Sequence, residues 1–190
     1  VSTRDRILDA AAQVMRTQGY ARATTKEIAR VAECSEPLLY KYFRDKEDLL
    51  LHVFSERVQA FAPVSKAGSG TVADNLVAAA NDALRFYGTT FPMMGSLLAA
   101  PSLLAATRES LAKYGAGPAN VVSWLANYLR DEQRLGRIAA DSDPDAIAAL
   151  LFGACFQQAF LHYFEHGPDG GEIPSRVAQS LVDAVMRGLH

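Results

Sequence analysis

The chain has 190 residues, 49% hydrophobic and 21% charged, which fits one ordinary globular domain or a small domain joined to a larger one and excludes a disordered chain. Its two cysteines, Cys34 and Cys155, are too few for a disulfide framework or a cysteine-ligated zinc site; they suit a reducing compartment, with the cytoplasm as default. The net charge of −2 by itself argues for no polyanionic partner, but residues 1–46 hold nine Lys/Arg against six Asp/Glu, net +3, and leave net −5 on the rest, so contact with a polyanion is confined to a basic head on an acidic body.

Apolar residues recur at helical spacing nearly everywhere and no run of strict alternation occurs, so the chain reads as all-α with about nine helices. The first helix, Thr3 to Gln18, places Ile7, Leu8, Ala11, Ala12 and Met15 on one face and stops at Gly19; it has charges in its first turn and reads as an amphipathic helix rather than a signal peptide. Thr24-Thr25-Lys26-Glu27 has the form of a capping box, in which Thr24 caps a second helix and Glu27 reaches back to the cap's N–H. Ile28, Ala29 and Ala32 form that helix's inward stripe. Ser35 is placed to cap a third helix, with Glu36 and Pro37 in its first turn, where a missing N–H costs nothing and an acid favours the dipole. Leu39 and Phe43, four apart, face inward and leave Glu36, Pro37, Leu38, Lys41 and Tyr42 outward. A fourth helix starts near Lys46, carries Leu49, Leu50, Val53 and Phe54, and ends before Pro63.

Two short helices joined by a tight corner match a helix-turn-helix, whose second helix enters the DNA major groove. Here the residues resemble a family: Thr25-x-x-Ile28-Ala29, then Ala32, Ser35, Leu39-Tyr40, Phe43 and Lys46-x-x-Leu49 are similar to the N-terminal signature of the TetR-type transcriptional regulators, over roughly residues 3–54. The resemblance implies a DNA-contacting set of Thr25, Lys26, Ser35, Glu36, Pro37, Tyr40, Lys41, Tyr42 and Lys46. In it Thr25 bonds a phosphate, Lys26 reaches phosphate or a base edge, Glu36 and Pro37 face bases, and Tyr40 and Tyr42 meet the backbone or a thymine methyl. Lys46 has an independent argument, since a cation in a helix's first turn opposes the dipole and is better explained by a phosphate beside it. The alternative for each is a solvated surface residue. The chain departs from the family's usual Ala-Gly-Val-Ser corner with Ala32-Glu33-Cys34-Ser35, so Glu33 is expected in a left-handed conformation at a cost of about 1 kcal/mol. Cys34 reads as a small apolar filler.

Residues 63–71, PVSKAGSGT, form a Pro/Gly/Ser-rich linker, after which the spacing predicts helices near Val72–Tyr87, Pro92–Ala100, Ser102–Tyr114, Pro118–Leu135, Asp145–His166 and Pro174–Gly188. The head, residues 1–46, is thus a DNA-binding domain, and residues 47–190 a helical domain for ligand binding and dimerisation. The run Ala146 to Phe164 is long enough for a membrane span, but Gln157, Gln158 and His162 interrupt it and a buried soluble helix is preferred. That helix is apolar almost all round, and with the last one (Val177, Leu181, Val182, Val185, Leu189) it is the expected homodimer interface, the arrangement the resemblance also implies. The middle helices concentrate Phe86, Tyr87, Phe91, Met93, Met94, Trp124 and Tyr128. Spacing alone reads them as core; the resemblance to ligand-responsive regulators, usually repressors on palindromic operators, makes Phe86, Tyr87, Phe91, Met94, Trp124, Tyr128 and Phe156 candidates for a pocket holding an apolar or aromatic small molecule.

An enzyme and a helical adaptor that binds no DNA are the competing classes, and the adaptor would leave Lys46 and Tyr40 unexplained. Asp141-Ser142-Asp143-Pro144-Asp145 could be read as a metal-binding cluster, but a helix cap and a first-turn acid explain Asp143 and Asp145 better, and neither a phosphate loop nor a nucleophile motif is present. No catalytic residue, metal or cofactor is expected.

Overall fold

A computed structural model of the chain describes residues 2–19, 22–57, 66–113, 117–167 and 170–187. Among them are nine helices and no strand: α1 Thr3–Gln18, α2 Thr25–Val31, α3 Glu36–Leu39, α4 Lys46–Glu56, α5 Val72–Leu98, α6 Pro101–Lys113, α7 Pro118–Arg134, α8 Pro144–His166 and α9 Arg176–Met186. The Pro63 stop, the first three linker residues, Tyr114, Gly188 and Leu189 lie outside the described residues. The chain groups into two compact units, one drawn from residues 1–59 and 89–116, the other from 60–88 and 117–190. α4 therefore packs with the head.

In the first unit, Ile7, Leu8, Ala11 and Met15 of α1 are fully buried with Ile28, Leu39, Phe43, Leu49, Leu50 and Val53, and Met93, Ala100 and Leu103 complete the cluster. Each helix of the head contributes the residues that its 3.6-residue period brings to one side. Ion pairs fasten the rims of α1 and α4: Arg4 to Glu56 at 2.6 Å, and Arg57 to Asp5 and Asp9, both at 2.7 Å. These pairs are partly exposed, so solvent screens them and each contributes little. The Arg4 guanidinium also lies 5.5 Å from the centre of the Phe43 ring.

The second unit is built on Leu76, Ala80 and Ala83 of α5, Leu125, Ala126 and Leu129 of α7, Ala148, Phe152 and Cys155 of α8, and Ala178 and Val182 of α9. Burial pushes the Cys155 thiol up to about 12, which keeps it neutral and inert. Asp143 caps α8 by accepting from the N–H groups of Asp145 and Ala146 at 3.0 and 3.2 Å, and Asp145 pairs with Arg130, so this acidic run serves the helix start.

Two body helices expected from the sequence are one. α5 runs 27 residues through Gly88 and Pro92. Proline removes one backbone donor and crowds one carbonyl, and the hydrogen bonds on either side of it suffice to carry a long helix through. The expectation of a buried α8 is also corrected. Ala148, Leu151, Phe152, Cys155 and Ala159 are buried, but Leu150, Phe156, Phe160, Leu161 and Phe164 are exposed, Leu150 by 69% and Phe164 by 78%. A helix that is apolar all round can pack only one stripe against α7 and α9 within a single chain. Among the described residues, α8 is the one helix long and apolar enough to cross a membrane.

Candidate nucleic-acid interface

Thr24 caps α2 as the sequence predicts, its hydroxyl accepting from the Glu27 N–H at 3.2 Å. The reciprocal half of the capping box is absent. Glu27 instead accepts from Arg30 at 2.7 and 2.9 Å and from Gln18 at 3.2 Å, and these partners hold its carboxyl down at about 2. A guanidinium one turn away offers two charge-assisted donors against the cap's single amide, and it wins the carboxylate.

The corner is as strained as its sequence implies. Glu33 has φ 52°, the one non-glycine with positive φ among the described residues. Cys34 closes the corner by donating its N–H to the Ala29 carbonyl at 3.0 Å and packs against the head core. Ser35 occupies the cap position of α3, but its side chain makes no capping hydrogen bond, a correction to the sequence reading. Regular α-helix covers only Glu36 to Leu39. Hydrogen bonds from the N–H groups of Lys41, Tyr42 and Phe43 to Leu38 and Leu39 extend the turn as far as Phe43. That extension buries Leu39 and Phe43 and turns Tyr40, Lys41 and Tyr42 outward, with Tyr40 49% and Tyr42 44% exposed.

Of the nine candidate contact residues, Lys26, Ser35, Pro37, Tyr40, Lys41 and Tyr42 are exposed, while Thr25, Glu36 and Lys46 are half-buried. Three of them meet. The Tyr40 phenol donates to the Thr25 hydroxyl at 3.3 Å, and the Thr25 hydroxyl donates in a short bond to the Glu36 carboxylate. Lys46 opens α4 directly after the cap Asp45, whose carboxylate accepts from the Asp48 N–H at 2.8 Å, and burial lowers the Lys46 ammonium pKa. An ammonium held against desolvation at a helix start gains from an anion beside it.

The seven candidate pocket residues divide between the units. Phe91 and Met94 belong to the first, while Phe86, Tyr87, Trp124, Tyr128 and Phe156 belong to the second. In the second unit Tyr87 stands edge-on to Phe86 and to Phe156, with ring centres 5.4 Å apart in each case, and burial raises its phenol pKa. Tyr128 is committed elsewhere: its oxygen accepts from the Asn75 amide at 2.9 Å, and burial with the neighbouring Glu132 carboxylate pushes it up to about 12.

The sequence reading missed Glu132, which is fully buried, pairs with Arg137 at 3.2 Å and accepts the N–H of Gly68 at 3.2 Å. Gly68 has φ 84°, where a side chain would be strained, and a Cβ there would press on Leu135 at 3.2 Å. Asn75 donates also to the Ser69 carbonyl at 2.7 Å, and Arg137 to that of Gly70. This network ties the end of the linker to α5 and α7. Its signal was present, since Glu132 falls in the buried register Leu125, Tyr128, Leu129, where an acid needs a partner, and Arg137 follows five residues on.

Comparison with known proteins places these features. Residues 7–53 match the family described as bacterial regulatory proteins, tetR family. The fatty acid metabolism regulator protein of Bacillus subtilis (strain 168) is 36% identical over 55 residues, 29% of this chain and 28% of that protein, so the match spans under a third of the relative's length. Over the whole chain the likeness is one of fold. The structure of the fatty acid degradation regulator FadR from Bacillus halodurans aligns with TM-score 0.71 at 20% identity, covering 100% of this chain and 97% of that one. FadR from Bacillus subtilis in complex with stearoyl-CoA aligns with TM-score 0.68 at 19% identity, covering 98% and 99%. With the helix-turn-helix of residues 25–43 and its signature residues, residues 7–53 form a DNA-binding region of the tetR family of bacterial regulatory proteins, and the chain as a whole shares the all-helical fold of these solved regulators.

Proposed function

We propose that the chain is a sequence-specific, cytoplasmic DNA-binding repressor, not an enzyme, that acts as a homodimer on a palindromic operator and releases it when a small apolar or aromatic effector binds residues 47–190. The observation that carries this reading is the helix-turn-helix that buries Leu39 and Phe43 beneath an exposed row of Tyr40, Lys41 and Tyr42, beside the exposed Lys26 and Pro37. Lysines and tyrosyl hydroxyls donate to phosphate oxygens, and proline offers an apolar face to a thymine methyl. Lys46 completes the phosphate set.

Dimerisation through α8 and α9 is supported by the apolar side chains that α8 leaves exposed, which a second copy of the same face would cover. Four helices then meet around the two-fold axis, and the two heads stand one DNA turn apart, about 34 to 36 Å. Effector binding acts on that spacing. Phe86, Tyr87, Trp124 and Phe156 are the proposed apolar contacts in the second unit; a long-chain acyl-CoA is the first effector class to try, because a structural neighbour of the same fold is described with stearoyl-CoA.

A gel shift with duplexes enriched from a random pool tests the central claim. Salt-sensitive, sequence-selective binding is expected, with Lys46→Ala weakening it about tenfold on every sequence and reducing the salt slope by about one. Absence of any selective binding overturns the reading. For the effector, stearoyl-CoA is added to the preformed complex: release of DNA supports the acyl class, and retention at saturating concentration removes it.

A further inference from the structure

Glu36 sits where its carboxylate takes the donor that a phosphate would need. The Tyr40 phenol has one O–H and donates it to the Thr25 hydroxyl oxygen at 3.3 Å; the Thr25 hydroxyl has one O–H and donates it to the Glu36 carboxylate. A hydroxyl supplies one donor, and a phosphate diester oxygen only accepts. In this arrangement neither the Thr25 hydroxyl nor the Tyr40 hydroxyl has a donor to offer DNA.

We propose that Glu36 is an internal stand-in for a DNA phosphate, a specificity-determining residue that must release Thr25 before the head can grip the backbone. The proposal rests on the DNA-binding reading above and adds a gate to it. The bond from Thr25 to Glu36 is charge-assisted, so its loss is costly unless the carboxylate finds another donor. Phosphates close to the released carboxylate repel it. A cytosine amino group in the major groove is a donor of the right kind. Binding is then taxed on sequences lacking a base donor opposite Glu36 and compensated where one is present, so a single acid converts a phosphate contact into sequence discrimination. This also accounts for an acid at the centre of a basic head: Lys26, Lys41 and Lys46 supply general affinity, and Glu36 withholds part of it.

The test is a double-mutant cycle on the full chain, comparing native protein, Glu36→Gln, Thr25→Val and the double variant by fluorescence anisotropy. Two duplexes of about 30 base pairs serve as probes, one enriched from a random pool by the native protein and one a scramble of it. The gate requires Glu36→Gln to bind the scrambled duplex about tenfold more tightly while gaining threefold or less on the enriched one. The gain on the scramble must vanish in the Thr25→Val background and return with Thr25→Ser, which restores the hydroxyl. A gain that persists without the Thr25 hydroxyl shows that Glu36 acts only as a repelling charge and overturns the gate. No gain on the scramble overturns it as well. Binding to neither duplex by any of the four proteins overturns the DNA-binding reading itself, and the gate with it.

Discussion

The head and α8 solve opposite problems with the same helical period. Among the described residues of the head, up to residue 57, the exposed large apolar side chains are two tyrosines, Tyr40 and Tyr42. α8 buries one stripe and leaves Leu150, Phe156, Phe160, Leu161 and Phe164 in the open. A surface whose apolar rings end in hydroxyls is suited to a polar polymer, which rewards donors; a surface of phenylalanine and leucine is suited to another apolar surface, which rewards area. Partner chemistry is thus written in what each region leaves uncovered.

The comparison can be broken first by emptying the head core. Phe43 is 1% exposed and carries both the Arg4 guanidinium and an edge contact to His52 at 5.6 Å. Phe43→Ala should cost about 3–5 kcal/mol in thermal or urea unfolding followed by circular dichroism; a cost near zero would show that the ring does not hold the head together. Phe160→Glu tests the other side. It should leave the chain folded yet weaken dimer association about 100-fold or more in sedimentation equilibrium, because a carboxylate would be buried without a partner. An unchanged dimer would exclude this face as the interface.

A smaller and opposite effect is expected at the corner. Glu33→Gly relieves a left-handed backbone at φ 52° and should stabilise the chain by about 1 kcal/mol. Should the variant instead lose stability, the conformation at residue 33 is not the strained one. The mildest test is pH, read by peptide-resolved hydrogen exchange. Glu27, Glu56 and Asp5 in the head are held below the ordinary carboxylate range by Arg30, Arg4 and, for Asp5, Ser2 with Arg57. Their folded pKa values are depressed, so their contribution is present above the usual carboxylate range and is lost as pH falls through the folded values, for Glu27 towards about 2. In the body, Tyr128 and Cys155 are both pushed up to about 12. There the unfolded chain ionises first, and stability falls as pH rises past the ordinary thiol and phenol values towards 12. Acid should therefore loosen head peptides first and alkali body peptides first; the same order at both extremes would contradict this division.

Local rules reached far in the head. α1 runs from Thr3 to Gln18 and stops at Gly19 as its spacing implies, Thr24 caps α2, and Glu33 takes the strained conformation that its place in the corner demands. They reached less far where two partners compete for one group. Glu27 chose Arg30 over the cap amide, Ser35 holds a cap position without capping, and the Thr25 hydroxyl donates to Glu36. A breaker rule sees one residue and makes Pro92 a boundary, whereas the hydrogen bonds on both sides of it carry α5 through.

By itself the sequence determined the helical class and the helix-turn-helix of the head, because these depend on period, caps and fixed offsets between neighbours a few residues apart. Only the tertiary structure decided that Tyr128 and Glu132 lock the linker end, 53 to 64 residues away, and that Glu36 occupies the donor of Thr25 from 11 residues along the chain. Both outcomes are choices among alternative partners for a polar group, and those choices are made by packing, which sets which donor and acceptor are within 3 Å once the core has closed.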